Sequence, residues 1–201
     1  MSPGERPSPS VVLVVEQLRR RVPGGIGTYV RGLLAGLARV EARDGRALDL
    51  TLFASRAVPD PLVGLGRPIR TASLPSPLLT RAWDRGLLHA PRGTSVVHGL
   101  SLASPAVARA DPARLVVTAH DLAWRDHPES TTLRGRRWHE GALRRALRRA
   151  DAFVVPSRSV AEGLIDAGAD AGSVQVDVVI PVKAGKRYVM RVDVFSWRSQ
   201  V

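Results

Sequence analysis

The chain has 201 residues, of which 44% are hydrophobic, 24% charged and only 4% aromatic, with a formal net charge of +12 and no cysteine. That length suits one well-packed domain or half of a two-domain enzyme. Disulfides and thiolate metal sites are excluded, a reducing cytoplasm is compatible, and no apolar run reaches the ~18 residues that span a bilayer. Aromatics are too few, and too separate from the arginines, for a single-strand nucleic-acid platform, so no nucleic-acid partner is expected.

In chain order, residues 1–10 are rich in Pro and Ser and read as a flexible leader, not a secretory signal. Val11–Val15 is the first predicted strand, and the glycines of Pro23-Gly24-Gly25-Ile26-Gly27-Thr28 lead into a helix over Gly25–Val40. Leu48–Ala54 is a second strand, and Pro59–Pro77, rich in Pro, Gly and Ser, reads as a long loop or lid. Strands follow at Ser95–His98, Leu115–Ala119, Ala152–Val155 and Val174–Ile180, with helices at Leu133–Ala150 and Ser159–Ala167. The last helix opens on Ser159-Val160-Ala161-Glu162, a candidate capping box, and ends near Gly168. Strands apolar on both faces and alternating with helices predict an α/β fold, a three-layer Rossmann-like parallel sheet.

Two elements point to chemistry. A strand that feeds a helix through glycines brings bare backbone N–H groups to a ligand at the positive end of the helix dipole, although glycine is also demanded there by sterics alone. The second is His120-Asp121, directly at the end of the strand Leu115–Ala119. Ligands of open α/β sheets bind at the carboxyl ends of strands, which gives His120 a functional reading beside the structural one. His98 ends a strand at the same edge, with the same two readings.

Competing chemistries fit less well. A dinucleotide fingerprint needs glycine where Val30 stands, and the strand ending Phe53-Ala54-Ser55-Arg56 lacks the acid that holds a ribose, although Arg56 suits a 2′-phosphate. No Gly-Lys-Ser/Thr follows the glycines, and no G-x-S-x-G elbow is present. His89, His98, His120, His127 and His139 form no i, i+4 pair, so no metal site is expected.

Taken together, several pieces resemble the N-terminal domain of the GT-B glycosyltransferases of family 4, the group 1 type that includes many mannosyltransferases. They are Gly24-Gly25-Ile26-Gly27-Thr28-Tyr29, Val96-Val97-His98-Gly99, Val117-Thr118-Ala119-His120-Asp121-Leu122, Pro128-Glu129, and Ala150-Asp151-Ala152-Phe153-Val154-Val155-Pro156-Ser157-Arg158-Ser159. Gly163-Leu164, Ala167-Gly168-Ala169 and Val178-Val179-Ile180-Pro181 fall in the same order, so the resemblance covers residues 11–181.

The resemblance implies transfer of a hexose from a nucleotide-diphosphate sugar to an acceptor hydroxyl, with retention and without a metal or other cofactor. His120 contacts the transferred sugar and Asp121 orients His120 or an acceptor hydroxyl. Gly25, Ile26, Gly27 and Thr28 approach donor phosphate or acceptor, and His98 lines the cleft. The acceptor is a glycan or a lipid-linked sugar, and GDP-mannose is the first expectation for the donor. The donor site of such enzymes lies mostly on a second domain with paired glutamates, so residues 11–181 are expected to form the acceptor-side half and to be inactive alone.

Lys183 and Lys186 are the only lysines of the chain, and residues 182–201 read as an atypical tail, either an ordinary terminal strand and tail or a frame-shifted or truncated product. The arginine bias is expected of a GC-rich bacterial source. Arg134, Arg136, Arg137, Arg144, Arg145, Arg148 and Arg149 load one predicted helix whose Trp138, Ala142, Leu143, Ala146, Leu147 and Ala150 face the sheet. That arginine face is either simply solvated or, in a cytoplasmic, membrane-peripheral protein, docks on an anionic bilayer through Arg134, Arg137, Arg144, Arg145, Arg148 and Arg149. The alternative to an enzyme is accordingly a non-catalytic basic α/β domain that binds an anionic membrane or a partner chain.

Overall fold

The computed structural model describes residues 9–176. The leader through residue 8, the end of the last predicted strand at Ile180 and the tail lie outside the described residues. Within them the chain builds one seven-stranded sheet, every neighbouring pair parallel, in the order β3-β2-β1-β4-β5-β6-β7. The strands are β1 Val11–Val14, β2 Leu50–Ser55, β3 Ile69–Ala72, β4 Val96–Gly99, β5 Arg114–Thr118, β6 Ala152–Val155 and β7 Val174–Val176. The helices are α1 Gly24–Asp44, α2 Ser76–Asp84, α3 Ala123–Asp126, α4 Leu133–Arg149 and α5 Arg158–Asp166.

Alternation along β1 divides the core. Val12 and Val14 enter a cluster with Leu79 and Trp83 of α2, Leu143 and Ala146 of α4 and Leu164 of α5, whereas Leu13 and Val15 enter one with Val30, Leu33 and Leu34 of α1. Sheet residues thus face helices on both sides, and each fully buried leucine or valine contributes roughly 1.5–3 kcal/mol of transfer free energy. That demand explains the largely apolar central strands.

Three expectations are corrected. The segment Pro59–Pro77 is not a continuous loop, for it holds β3 and the start of α2. β3 is an edge strand whose Arg70 and Thr71 are exposed, so it needs no apolar run, and its Pro68 supplies a carbonyl to Leu52. The first strand does not run straight into the glycines, because a 3-10 turn at Glu16–Arg19 intervenes. Finally, the cap of α5 is Ser157, whose hydroxyl accepts from the Val160 amide, while Ser159 lies inside the helix. At the other end, Gly168 adopts φ of 104°, its amide bonds Ile165 O and the Ala169 amide bonds Leu164 O. This left-handed stop confirms the expected end.

The sheet order reverses direction between β1 and β4. A crevice forms outside the carboxyl ends of strands at such a switch point, and there the loops after β1, β4 and β5 meet.

Candidate functional site

The loop after β1 is pinned by its own side chains. Glu16, 3% exposed, accepts from the Ser55 amide at 2.7 Å and from the Ser55 hydroxyl at 2.9 Å, tying the end of β1 to the end of β2. The Gln17 amide donates to Pro23 O at 3.0 Å, and the Arg19 side chain, 1% exposed, forms a bidentate pair with Asp60. A buried carboxylate and a buried guanidinium survive only when paired in this way. They tie the loop that leads into α1 to the end of β2 and to the segment that follows it.

At the start of α1, Pro23 O accepts from the Gly27 amide at 3.1 Å, and no side chain caps the helix. The amides of Gly24, Gly25 and Ile26 therefore precede the first helical bond, the position where an anion is favoured. The glycines divide their labour. A Cβ at Gly27 meets Pro23 Cβ at 2.3 Å, so that glycine serves the protein's own packing, while a Cβ at Gly25 has nothing within 4 Å. Gly25 and Thr28 are exposed, whereas the Ile26 side chain packs into the cluster beneath α1.

His120 follows β5 and joins three segments. Its Nε2 lies 3.0 Å from Leu100 O, in the loop after β4, and its ring meets Tyr29 of α1 edge-on with centroids 4.9 Å apart. A carbonyl only accepts, so Nε2 carries the proton and Nδ1 keeps its lone pair. Burial lowers the His120 pKa, outweighing the Leu100 carbonyl and Asp121, which act in the opposite sense. The imidazole is therefore neutral near pH 7.

The Asp121 Oδ1 accepts from the Ala123 amide at 3.0 Å and so opens α3. Leu122, 6% exposed, anchors the same loop in the core, and Gly163 of α5 leaves it room, since a Cβ there meets Leu122 Cδ1 at 2.7 Å. His98 is bound within the sheet, with its Nε2 2.9 Å from the Thr118 hydroxyl. Burial first and the neighbouring His120 second push its pKa down to about 4.

The α3–α4 junction adds residues for which the sequence carries little signal. Trp124 stacks on His139 with centroids 4.6 Å apart and donates to Glu140 at 2.8 Å, and Arg125 also binds Glu140. Burial lowers the His139 pKa, Asp121 opposes that shift and Arg20 reinforces it. His139 thus lies within electrostatic reach of both Asp121 and Arg20.

Against this geometry, the model of glycosyltransferase family 4 matches residues 23–176. The chain belongs to glycosyltransferase family 4. No curated protein matches it. Solved structures of Alr3699/HepE from Anabaena, with UDP and glucose or with UDP-glucose, are similar at 16% and 15% identity and a TM-score of 0.48. Each match covers 85% of this chain, but 44% and 43% of the solved chains, so the chain spans less than half their length.

The structure of the family 4 domain brings together Gly25, Ile26, Gly27, Thr28, His120 and Asp121 at one sheet edge, with the half-buried His98 next to His120. Glu16, Arg19, Tyr29 and His139 were not legible as part of this site. The one signal available was Glu16, an acid placed directly behind an unbroken apolar strand. On α4, Arg134, Arg137, Arg144 and Arg148 are exposed, while Arg145 is held by Asp84 of α2. Among the described residues no helix is long and apolar enough to cross a membrane.

Proposed function

We propose that this domain is the acceptor-side half of a retaining transferase that moves a hexose from a nucleotide-diphosphate sugar to an acceptor hydroxyl. One observation supports the reading most: His120 is locked between the loop after β4 and the first turns of α1, at the switch point of the sheet. Its neutral imidazole sits beside the anomeric carbon, where positive charge grows as the bond to the diphosphate breaks. An imidazolium there would repel that charge; the Nδ1 lone pair accepts from a sugar hydroxyl instead. The electron pair of the broken bond leaves on the nucleoside diphosphate, and the acceptor oxygen forms the new glycosidic bond as its hydroxyl proton passes to the departing phosphate oxygen. The uncapped amides of Gly24, Gly25 and Ile26 are oriented in advance and stabilise negative charge at the leaving or attacking group. Asp121 holds the loop that carries His120. No step needs a metal, and the acceptor is a glycan or a lipid-linked sugar.

Amide NMR titration tests this, with GDP-mannose, UDP-glucose and simple sugars as probes. Shifts are expected at Gly24, Gly25, Ile26 and the His120 loop, more with GDP-mannose than with UDP-glucose, and His120→Ala should weaken them. Shifts confined to the amino edge of the sheet, or none at millimolar ligand, overturn the proposed site. Measurable sugar transfer by the chain alone, at the ~1–10³ s⁻¹ ordinary for enzymes, overturns the division of labour with a second domain.

A further inference from the structure

α4 runs from the carboxyl ends of the strands back to their amino ends, where the Asp151 amide bonds Leu115 O at the start of β5. Its buried residues, Ala142, Leu143 and Ala146, all lie in its second half. The first half stands beside the loops at the carboxyl edge, with α3 packed on it. Two indoles frame His139 there: Trp124 stacks on the imidazole with centroids 4.6 Å apart, and Trp138 meets it edge-on at 4.8 Å. Each indole is fastened in turn, Trp124 to Glu140 at 2.8 Å and Trp138 to Asp84 at 3.0 Å. The imidazole so held is partly exposed and makes no hydrogen bond among the described residues, and its Nδ1 is buried. A buried N–H without a partner is costlier than a buried lone pair, so the proton sits on Nε2.

One turn back, at i−3, Arg136 shares the face of His139. Of the arginines on α4, only Arg136 and Arg145 are half-buried. Asp84 neutralises Arg145, whereas Arg136 has no ion pair or hydrogen bond among the described residues, and its Nε is buried. Glu140, one turn on, has both oxygens engaged by Trp124 and Arg125. The other charges within reach of His139 are Asp121 and the exposed Arg20, from the loops after β5 and β1. Solvated arginines need no explanation, but a half-buried cation usually has its counter-ion, since desolvation must be offset. Two buried nitrogens without partners, on one helix face beside a second free arginine, describe a place for an anion.

We propose that Arg136 and His139, with Arg20 from the loop after β1, form a subsite for an oxyanion of the acceptor, the phosphate or carboxylate of an acidic sugar. The guanidinium offers paired N–H donors that match either group, and the His139 Nε2–H adds another. The position favours the acceptor over the donor diphosphate. α1, with its uncapped amides, covers the Leu13 and Val15 face of the sheet, whereas α4 covers the Val12 and Val14 face. A neutral sugar leaves the cation unpaired, so the subsite selects for charge. It rests on the sugar-transfer reading through its ligand alone, and oxyanion binding is measured apart from that reading.

NMR titration of the full chain tests it, read at the Arg136 Nε–H and the His139 amide, with glucose 6-phosphate, glucuronate and glucose as probes. At least one acidic sugar should shift both signals at millimolar concentration, and which one does so separates phosphate from carboxylate. Glucose should shift neither. Arg136→Gln and, separately, His139→Ala should weaken the acidic sugar about tenfold or more. The control Arg134→Gln, Arg137→Gln removes exposed charge from the same helix and should bind within twofold of the parent. Without ligand, Arg136→Gln should melt no lower than the parent, because the cation it removes has no partner. The acidic sugar should raise the midpoint of the parent and not of the variant. Equal losses in the arginine variants mean attraction by net charge and overturn the proposal, as do equal binding of glucose or no shift at Arg136. Shifts at Arg136 with UDP that the acidic sugars do not compete away give the site to the donor and also overturn it. UDP-glucose shifts at Gly25 and the His120 loop that persist in Arg136→Gln keep the sugar-transfer reading when the subsite fails; their absence in the parent removes that reading alone.

Discussion

Histidine chemistry in this domain is decided by burial more than by partners. His120 was legible because an apolar strand ends just before it, and the carboxyl end of a parallel strand is a place with few structural demands of its own. His98 carries the same signal in sequence yet serves the sheet, through Thr118. The pKa of His98, 6.5 ordinarily and about 4 when folded, makes a testable contribution to stability. Because the folded value is lowered, the unfolded chain binds the proton first as pH falls. This stability is complete above pH 6.5 and is lost between 6.5 and about 4, at a total of roughly 3 kcal/mol. His120 acts in the same direction. Urea unfolding across this range should show the loss, and His98→Gln, which keeps a partner for Thr118, should flatten it; an unchanged slope would show that His98 does not titrate. Glu16 and Arg19 were illegible at this scale, since their partners Ser55 and Asp60 are distant in sequence and ordinary in type.

At the level of elements, the start of α1 separates glycines kept for the fold from those open to a ligand. Gly27 faces Pro23 at a distance no Cβ tolerates, and Gly25 faces open space. Gly27→Ala should therefore destabilise the domain by roughly 1–3 kcal/mol, read as a drop in thermal midpoint. Gly25→Ala should leave the midpoint within about 0.5 kcal/mol, or raise it by helix propensity, while weakening ligand shifts at Gly24 and Ile26. Equal effects on stability would remove the distinction. Long elements such as α1, α4 and the central strands were legible from periodicity to within a few residues. β3 and α2 were not, because Pro68 and Pro75 flank them and Pro77 stands in the first turn of α2, and a half-exposed edge strand or a nine-residue helix has little pattern to show. The capping serine was misplaced for a related reason: Ser159, with Glu162 three residues on, satisfies the capping-box rule, whereas Ser157 has Val160 there, and only the path out of β6 selects Ser157.

For the whole molecule, the sheet order predicts a gradient of local stability. β1, β4 and β5 are paired on both sides and covered on both faces, whereas β3 pairs only with β2. Amides of β4 should exchange with solvent about 100-fold more slowly than those of β3, and uniform exchange would contradict the topology. By itself the sequence determined the class of the fold, the types of its main elements, and that the glycine turn and His120 belong at the carboxyl ends of strands. These follow from contiguous residues, since periodicity is local and alternating strands and helices permit only a parallel sheet. The tertiary structure alone decided that Leu100 and Tyr29 meet His120, that Glu16 and Arg19 are buried in pairs, and that Arg136 is left unpaired among the described residues. Those outcomes depend on which distant surfaces pack together, and that choice is made by the summed burial of the whole core.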